Sequence, residues 1–570
     1  MRRDLPVASA TTIPRLELNG RCRSRKSPRE TCGGPLSPNS DGSREQQSAY
    51  ASMIGTAPST GAPQRRLLVC TSRRTRMTAP ALLVAWTLLS FGADALAIDV
   101  EGRNADAASA AIVAKPAFPL KVGASNRYLV DRNDRPFLIV GDSPQNIIGK
   151  LSEAEAAAYI ANRAAYGINA LWINLLCNEA LGCSSDGATP DGIVPFVVAN
   201  DLTTPNPAFF QRAESIIRHA EDLGMVVILD PIETIGWLRT LHVNGVANAY
   251  RYGRYLGERY RDVPNIVWMH GNDFQSWQDS DDDALVRAVA RGIRDTDPNH
   301  LQTVELNFLT SGSLDDPSWQ SLVDLSAAYT YFPTYAQVLS EYNRANHKPV
   351  FLAEANYEFE HNAETDGGTA KTLRKQEYWT MLSGATGQLY GSRAWRFDKG
   401  WEADLDTRGV VELGYMSKLF AHRRWYDLVP DQTHTVATSG YDALSEHVGR
   451  LAAYLGSYRV QPAVQRLFSR FKRYTHFGSI ATNTYAPTAR TADGSLVVSY
   501  LPKNRPITID ISKLAAPATA RWYDPTSATY RPAAKSPLAN TGVREFSPPG
   551  VNSAGDDDWV LVIETNPEKD

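Results

Sequence analysis

This sequence predicts an α/β fold, a (β/α)8 TIM barrel followed by a small antiparallel β-sandwich, and three observations carry the prediction. Eight short apolar runs alternate with helical patterns from residue 118 onward, as strands buried on both faces alternate with the helices that cover them. After about residue 430 the pattern changes to β-rich runs separated by Pro, Asn, Asp and Gly. Two of the apolar runs end in a carboxylate, Asp273 and Glu354, where a barrel strand opens onto its C-terminal mouth.

Taken in chain order, residues 1–76 mix Arg, Ser, Pro, Thr and Gly without apolar periodicity, as a disordered or mis-assigned leader does. Residues 77–97 have the layout of a signal peptide: the basic stretch Arg73 to Arg76 ahead of Met77, an apolar run from Ala79 to Ala93, and the small-residue ending Ala95-Leu96-Ala97. Translation is expected to start at Met77 or Met53, and the mature chain near Ile98. The apolar run is shorter than the roughly 20 residues that span a bilayer, so no stable membrane insertion is expected after cleavage. The expected location is secreted or periplasmic. Cys177 and Cys183, six positions apart, either close a loop disulfide in such a compartment or stand as two unrelated thiols.

The barrel is expected over residues 118–430. Its candidate strands are 137–141, 170–174, 225–230, 266–269, 301–305, 325–329, 350–353 and 388–391. The intervening helical pattern at 153–166 starts with Ser152 and Glu155 in capping-box spacing and stops at Gly167. A second helical pattern covers 210–223. Residues 431–566 are expected to form the β-sandwich without helices, from runs such as Leu496–Leu501, Ile507–Ile511, Thr519–Tyr523 and Trp559–Glu564. Within it, 438–480 is ambiguous, an insertion or a linker.

Composition fits a large globular chain: 570 residues, 43% hydrophobic, with 59 basic residues against 62 acidic ones. The near balance gives no electrostatic reason to expect nucleic acid or an anionic membrane as a partner. A metal-dependent hydrolase would cluster His and Asp at strand ends, but the ten His are scattered singly, so no metal and no cofactor is expected.

Asp273 and Glu354 follow the fourth and seventh strand candidates. Facing each other, such carboxyls supply the proton donor and the nucleophile of a glycosidase. Each alone has a plainer reading, Asp273 as a helix cap and Glu354 as a structural ion pair. Asp142, Asn174 and Glu233, after strands one to three, are candidates to bind sugar hydroxyls or simply to cap the next element. Asn272 is placed to hold a sugar 2-hydroxyl. Tyr329 and Tyr331 are placed to orient the nucleophile or pack as core, and Trp395 to stack on a sugar face or pack as core. His270 reads as structural.

These stretches carry a resemblance. Gly141-Asp-Ser143, Ala161-Asn-Arg163, Gly167-Ile-Asn169, His270-Gly-Asn-Asp273, Glu354-Ala-Asn-Tyr-Glu358 and the run Gly384 to Gly391 resemble the apiosidase-like barrel family, formerly domain of unknown function 4038. The tail resembles its usual companion, a domain named for collagen binding, through Thr491 to Pro502, Arg521-Trp-Tyr-Asp-Pro525 and Asp558-Trp559. The resemblance implies a retaining glycoside hydrolase similar to family 140, with Asp273 as acid/base, Glu354 as nucleophile and a carbohydrate substrate. Pro144-Gln-Asn146 stands where an aromatic is expected, so the family's sugar specificity does not carry over. The rival reading is a non-catalytic protein that binds glycan or matrix on a glycosidase scaffold.

Overall fold

The computed structural model describes residues 115–567, apart from 277–278, 307–308, 361–367, 458, 461, 516 and 566. The expected leader and signal peptide lie outside the described residues. Three short antiparallel strands come first: β1 (Lys121–Val122), β2 (Leu129–Val130) and β3 (Pro136–Phe137). The barrel strands follow as β4 (Ile139–Asp142), β5 (Ala170–Asn174), β6 (Val226–Asp230), β7 (Ile266–Phe274) and β8 (Gln302–Leu306). A short β9 (Thr310–Gly312) precedes β10 (Ser326–Thr330), β11 (Val350–Glu354) and β12 (Gly387–Tyr390). The eight expected runs thus become eight parallel strands, and β9 is an added strand running back antiparallel to β10.

Side chains alternate between two cores, as the pleat requires. Ala170, Trp172, Val226, Ile228, Val267, Met269, Leu325, Ala327, Phe351 and Ala353 fill the barrel interior, together with Leu129 and Phe137 of the N-terminal strands. Leu171, Ile173, Val227, Leu229 and Trp268 point outward into the helix layer. Both faces are therefore apolar, which is why these strands read as unbroken hydrophobic runs.

The ring is not closed by backbone alone. Among the described residues β8 and β10 form no ladder, and one backbone bond with several side-chain bonds joins the two sides instead. The Asp324 amide donates to the Gln302 carbonyl at 2.7 Å, and the Gln302 amide returns a bond to the Asp324 carboxylate at 2.9 Å. The Ser313 hydroxyl donates to Val304 O at 2.6 Å and accepts from Ala327 N at 2.8 Å.

The helix α1 (Ile147–Lys150) and the helix α2 (Glu153–Ala165) follow β4, and α2 starts with the expected capping box of Ser152 and Glu155. Next come α3 (Pro207–Asp222), α4 (Thr234–Tyr260, broken at Gly245) and α5 (Ser280–Thr296). The last barrel helices are α6 (Thr334–Tyr342), α7 (Ala370–Leu382) and α8 (Arg408–Ala421). Cys177 and Cys183 are bridged in the loop after β5, with Cα atoms 5.7 Å apart.

Two antiparallel sheets follow the barrel. The larger has the order β13 (Leu428–Pro430), β15 (Thr488–Thr491), β16 (Leu496–Leu501), β21 (Trp559–Glu564), β18 (Thr519–Asp524) and β19 (Thr529–Pro532). The smaller has the order β14 (Ala437–Ser439), β17 (Ile507–Asp510) and β20 (Val543–Phe546). Val497, Leu501, Ile507, Trp522, Trp559 and Leu561 pack between them. The expectation of no helices is corrected here, because the ambiguous segment folds as α9 (Ala443–Gly456) and α10 (Pro462–Thr475). These helices exist because the barrel offers them a face: the Tyr335 hydroxyl of α6 donates toward the carbonyls of Ser445 at 2.8 Å and Glu446 at 3.1 Å.

Helix α7 joins the barrel to the sheets. Its Arg374, 1% exposed, bonds both carboxylate oxygens of Asp558 at 2.8 and 2.9 Å, Asp556 at 2.8 Å, and Glu412 of α8. One residue on, the Lys375 ammonium donates to the carbonyls of Ile480, Ala481 and Asn483. Removing one partner from a buried ion network leaves charge unpaired. Arg374→Ala is therefore expected to cost about 3–5 kcal/mol, measured by urea unfolding, with loss from barrel and sheets in a single transition.

Candidate active site

At the C-terminal ends of the strands the apolar interior gives way to a polar layer. Asn174 and Asp230 are register partners at the ends of β5 and β6, and Glu305, Tyr329 and Glu354 lie near the ends of β8, β10 and β11. All five are almost fully buried.

Glu354 is held by phenols. The pairing of β10 with β11 shifts register between Ala328 and Tyr329, which sets Tyr329 opposite Glu354. Glu354 Oε1 accepts from the Tyr331 hydroxyl at 2.5 Å and lies 3.0 Å from that of Tyr329, whose single proton is shared between Glu354 and the Tyr331 oxygen. Glu354 Oε2 accepts from Tyr357 at 2.9 Å. Burial pushes all three phenols well above their usual range, so they stay protonated and act as donors. For Glu354 itself, burial and the charge of Asp273 raise the pKa, and the phenol donors oppose the rise by favouring the carboxylate.

Asp273 is presented by a distorted strand. Gly271, Asn272 and Asp273 all have positive φ, at 112°, 67° and 54°, and β7 slips register against β8 across them. Only glycine fits the first position, since a Cβ there would come within 2.4 Å of the Glu305 carbonyl oxygen. Asn and Asp are the residues that best tolerate the left-handed region. The Thr234 hydroxyl at the start of α4 pins the distortion by donating to the carbonyls of Gly271 at 2.8 Å and Asn272 at 3.0 Å. Asp273 emerges half-buried, with its amide 3.4 Å from Glu305 Oε2.

A chain of amides connects the two sides. Asn272 Nδ2 lies 3.4 Å from Gln145 Oε1, and Gln145 Nε2 donates to the Tyr357 hydroxyl at 3.0 Å, which reaches Glu354. Gln145, Tyr357 and Glu305 are residues that sequence reasoning passed over. Glu305 follows Leu-Gln-Thr-Val, a run too polar to mark it as Asp273 and Glu354 are marked. Burial first, then the charges of Glu354 and Asp273, push its carboxyl well up.

The other candidates fall into two groups. Asn174, Asp230 and Glu233 face the mouth, and among the described residues the Asn174 amide, Asp230 Oδ2 and Glu233 Oε1 are buried without hydrogen-bond partners. Glu233 also caps α4, its Oε2 accepting from the Gly236 amide at 2.8 Å. Burial raises Asp230 to about 8. By contrast, Asp142 faces the helix layer, where Arg163 and the Tyr159 hydroxyl each bond its Oδ2 at 2.5 Å and the Ser143 amide takes Oδ1. Trp395 is half-buried in the turn after β12, its indole donating to Glu360 at 2.7 Å. His270 points outward to Gln302 at 2.9 Å, and burial lowers it to about 4, so the ring is neutral. Among the described residues no group of three or more His, Cys, Asp or Glu is disposed to hold a metal ion.

Residues 124–427 match the family described as "Apiosidase-like, catalytic domain". The chain belongs to the apiosidase-like family. Residues 479–564 match a second family, "Putative collagen-binding domain of a collagenase". The fold is shared with a solved structure titled "Glycoside hydrolase", at a TM-score of 0.65 and 20% identity over 80% of this chain and 98% of that one. It is also shared with a glycoside hydrolase family 5 protein from Bacteroides vulgatus, at a TM-score of 0.63 and 19% identity over 78% and 93% of the two chains. The comparison with curated proteins finds no match. This apiosidase-like protein is thus a glycoside hydrolase with a carbohydrate substrate.

The buried carboxyls fix how the enzyme responds to pH. Asp230 and Glu377 are each raised to about 8, chiefly by burial, and Glu305 is raised as well. The folded state therefore holds protons that the unfolded chain gives up near pH 4 to 5, so this stability is complete below that range and is lost as pH rises through about 8. The melting temperature is expected to fall between about pH 5 and pH 8, and Asp230→Asn to flatten part of that slope, read by calorimetry across the range.

Proposed function

We propose that this apiosidase-like enzyme is a secreted, retaining glycoside hydrolase in which Asp273 is the acid/base and Glu354 the nucleophile. The observation that carries the reading is the set of phenol donors on Glu354, which favour its carboxylate inside a buried mouth. In the first step a Glu354 oxygen bonds to the anomeric carbon as the glycosidic C–O bond breaks, and the Asp273 proton passes to the leaving oxygen. In the second, Asp273 takes a proton from water, the water oxygen bonds to the anomeric carbon, and Glu354 departs as a carboxylate. Asn174, Glu233 and Asn272, with Asp230 beside them, supply hydrogen bonds to the sugar. The signal-peptide layout of residues 77–97 supports export, and N-terminal analysis of exported protein should find a start near Ile98.

A screen of nitrophenyl glycosides and polysaccharides supplies the substrate for the test. Glu354→Ala should nearly abolish turnover on every substrate. Asp273→Ala should lose roughly 10²–10⁴-fold on poor leaving groups and much less on activated aryl glycosides. With added azide, the Asp273 variant should yield a glycosyl azide of retained configuration and the Glu354 variant one of inverted configuration. NMR of the first product decides the mechanism, and an inverted anomer from the wild type would falsify the retaining assignment.

Tyr331→Phe gives a finer test. Loss of a donor that favours the Glu354 carboxylate should lower turnover roughly 10- to 100-fold, the worth of one hydrogen bond to a charged group. It should also move the acidic limb of the pH profile to higher pH, because the nucleophile must be ionised. An unmoved limb would place the phenol's role in packing alone.

A further inference from the structure

Helices α9 and α10 fall between the two matched stretches, 124–427 and 479–564, and so belong to neither family's common core. Their charge is anomalous for this chain. Residues 443–475 contain six Arg and Lys against a single acid, Glu446, which pairs with Arg450, in a protein of net charge -3. Their apolar residues are anomalous too. Each helix already has a core face: Phe468 of α10 packs 5.7 Å from the Phe332 ring with the Lys472 ammonium 4.9 Å over it, and Gly449 and Gly456 of α9 lie against Tyr335 and Phe332. Each then carries a second apolar stripe to solvent. On α9 it is Leu444, Leu451 and Tyr454, exposed by 75%, 49% and 54%; on α10 it is Val464, Leu467 and Phe471, exposed by 43%, 70% and 49%. The spacing within each stripe keeps it on one face of its helix.

We propose that this helical pair is a docking surface for an anionic lipid layer. The helices would lie in the interface plane, with the apolar stripes at the acyl boundary and Arg466 and Arg470, each next to a stripe residue, toward headgroup phosphates. Among the described residues no helix is long and apolar enough to cross a membrane, which fits a peripheral attachment. An anionic polysaccharide would satisfy the arginines but leave Leu444, Leu451 and Leu467 in water, since they have no ring face on which a sugar stacks. A second copy of the chain would bring like charges together at Arg466 and Arg470.

The test is vesicle co-sedimentation of the chain beginning at Ile98, which retains every described residue. The protein should sediment with vesicles of phosphatidylglycerol mixed with phosphatidylcholine, should not sediment with phosphatidylcholine alone, and should be released at high salt. Arg466→Ser with Arg470→Ser should lower partition roughly tenfold or more. Leu467→Asp with Phe471→Asp should abolish it, and Leu444→Asp, on the other helix, should weaken it while leaving the melting temperature unchanged. Equal binding to neutral vesicles, binding to polygalacturonate but not to vesicles, a dimer that the Leu467 and Phe471 variant dissolves, or no binding at all would each overturn the proposal.

Discussion

Charge held out of water is the constraint on which the rest of this structure depends. Glu354 is only 7% exposed, and Asp273, Asp230 and Glu305 crowd the same mouth. Moving a carboxylate from water into such a place costs several kcal/mol unless donors replace the lost hydration. Tyr331 and Tyr357 do so here, and they can because each phenol is fixed by the fold: Tyr331 by β10 and the segment after it, Tyr357 by Gln145 beyond β4. By strict alternation from Phe351 and Ala353, Glu354 would belong to the outward face. The register shift at Ala328 and Tyr329 turns the pairing so that acid and phenols meet.

The opposite side of the mouth is shaped by strain. Two non-glycine residues in the left-handed region cost free energy that their surroundings must offset. The Thr234 hydroxyl and the close passage of β8 hold them there. Asp273 thus depends on α4 and on β8 as much as on its own strand, which explains why the barrel must be completed around β8 even though its seam with β10 relies on Ser313 and Asp324.

Much of this was legible in the sequence, and the rest was hidden for physical reasons. Strand positions are encoded by continuous apolar runs, so Ala170–Asn174 appears in the structure with the boundaries its residues imply. The acids closing two apolar runs mark the mouth, while Glu305 follows the mixed run Leu-Gln-Thr-Val and carries no such mark. Gly-Asn-Asp at 271–273 holds the three residue types suited to positive φ, but nothing local says that a bulge is needed. The β9 return strand and the side-chain seam depend on partners distant in sequence. So do α9 and α10, since α9 carries Gly449 and Gly456, poor helix formers whose missing Cβ atoms make room for Tyr335 and Phe332.

Arg374 gives the two halves a shared history. Its guanidinium sits in the barrel, yet two of its carboxylate partners, Asp556 and Asp558, come from the loop that leads into the last strand of the sheets. A chain cut after the barrel would carry a buried cation with most of its counter-charge gone, and a grafted tail without those acids would leave the same deficit. The C-terminal sheets are therefore not an interchangeable module in the way that linker-joined binding domains are. Recombination that swaps one half must bring the matching half with it.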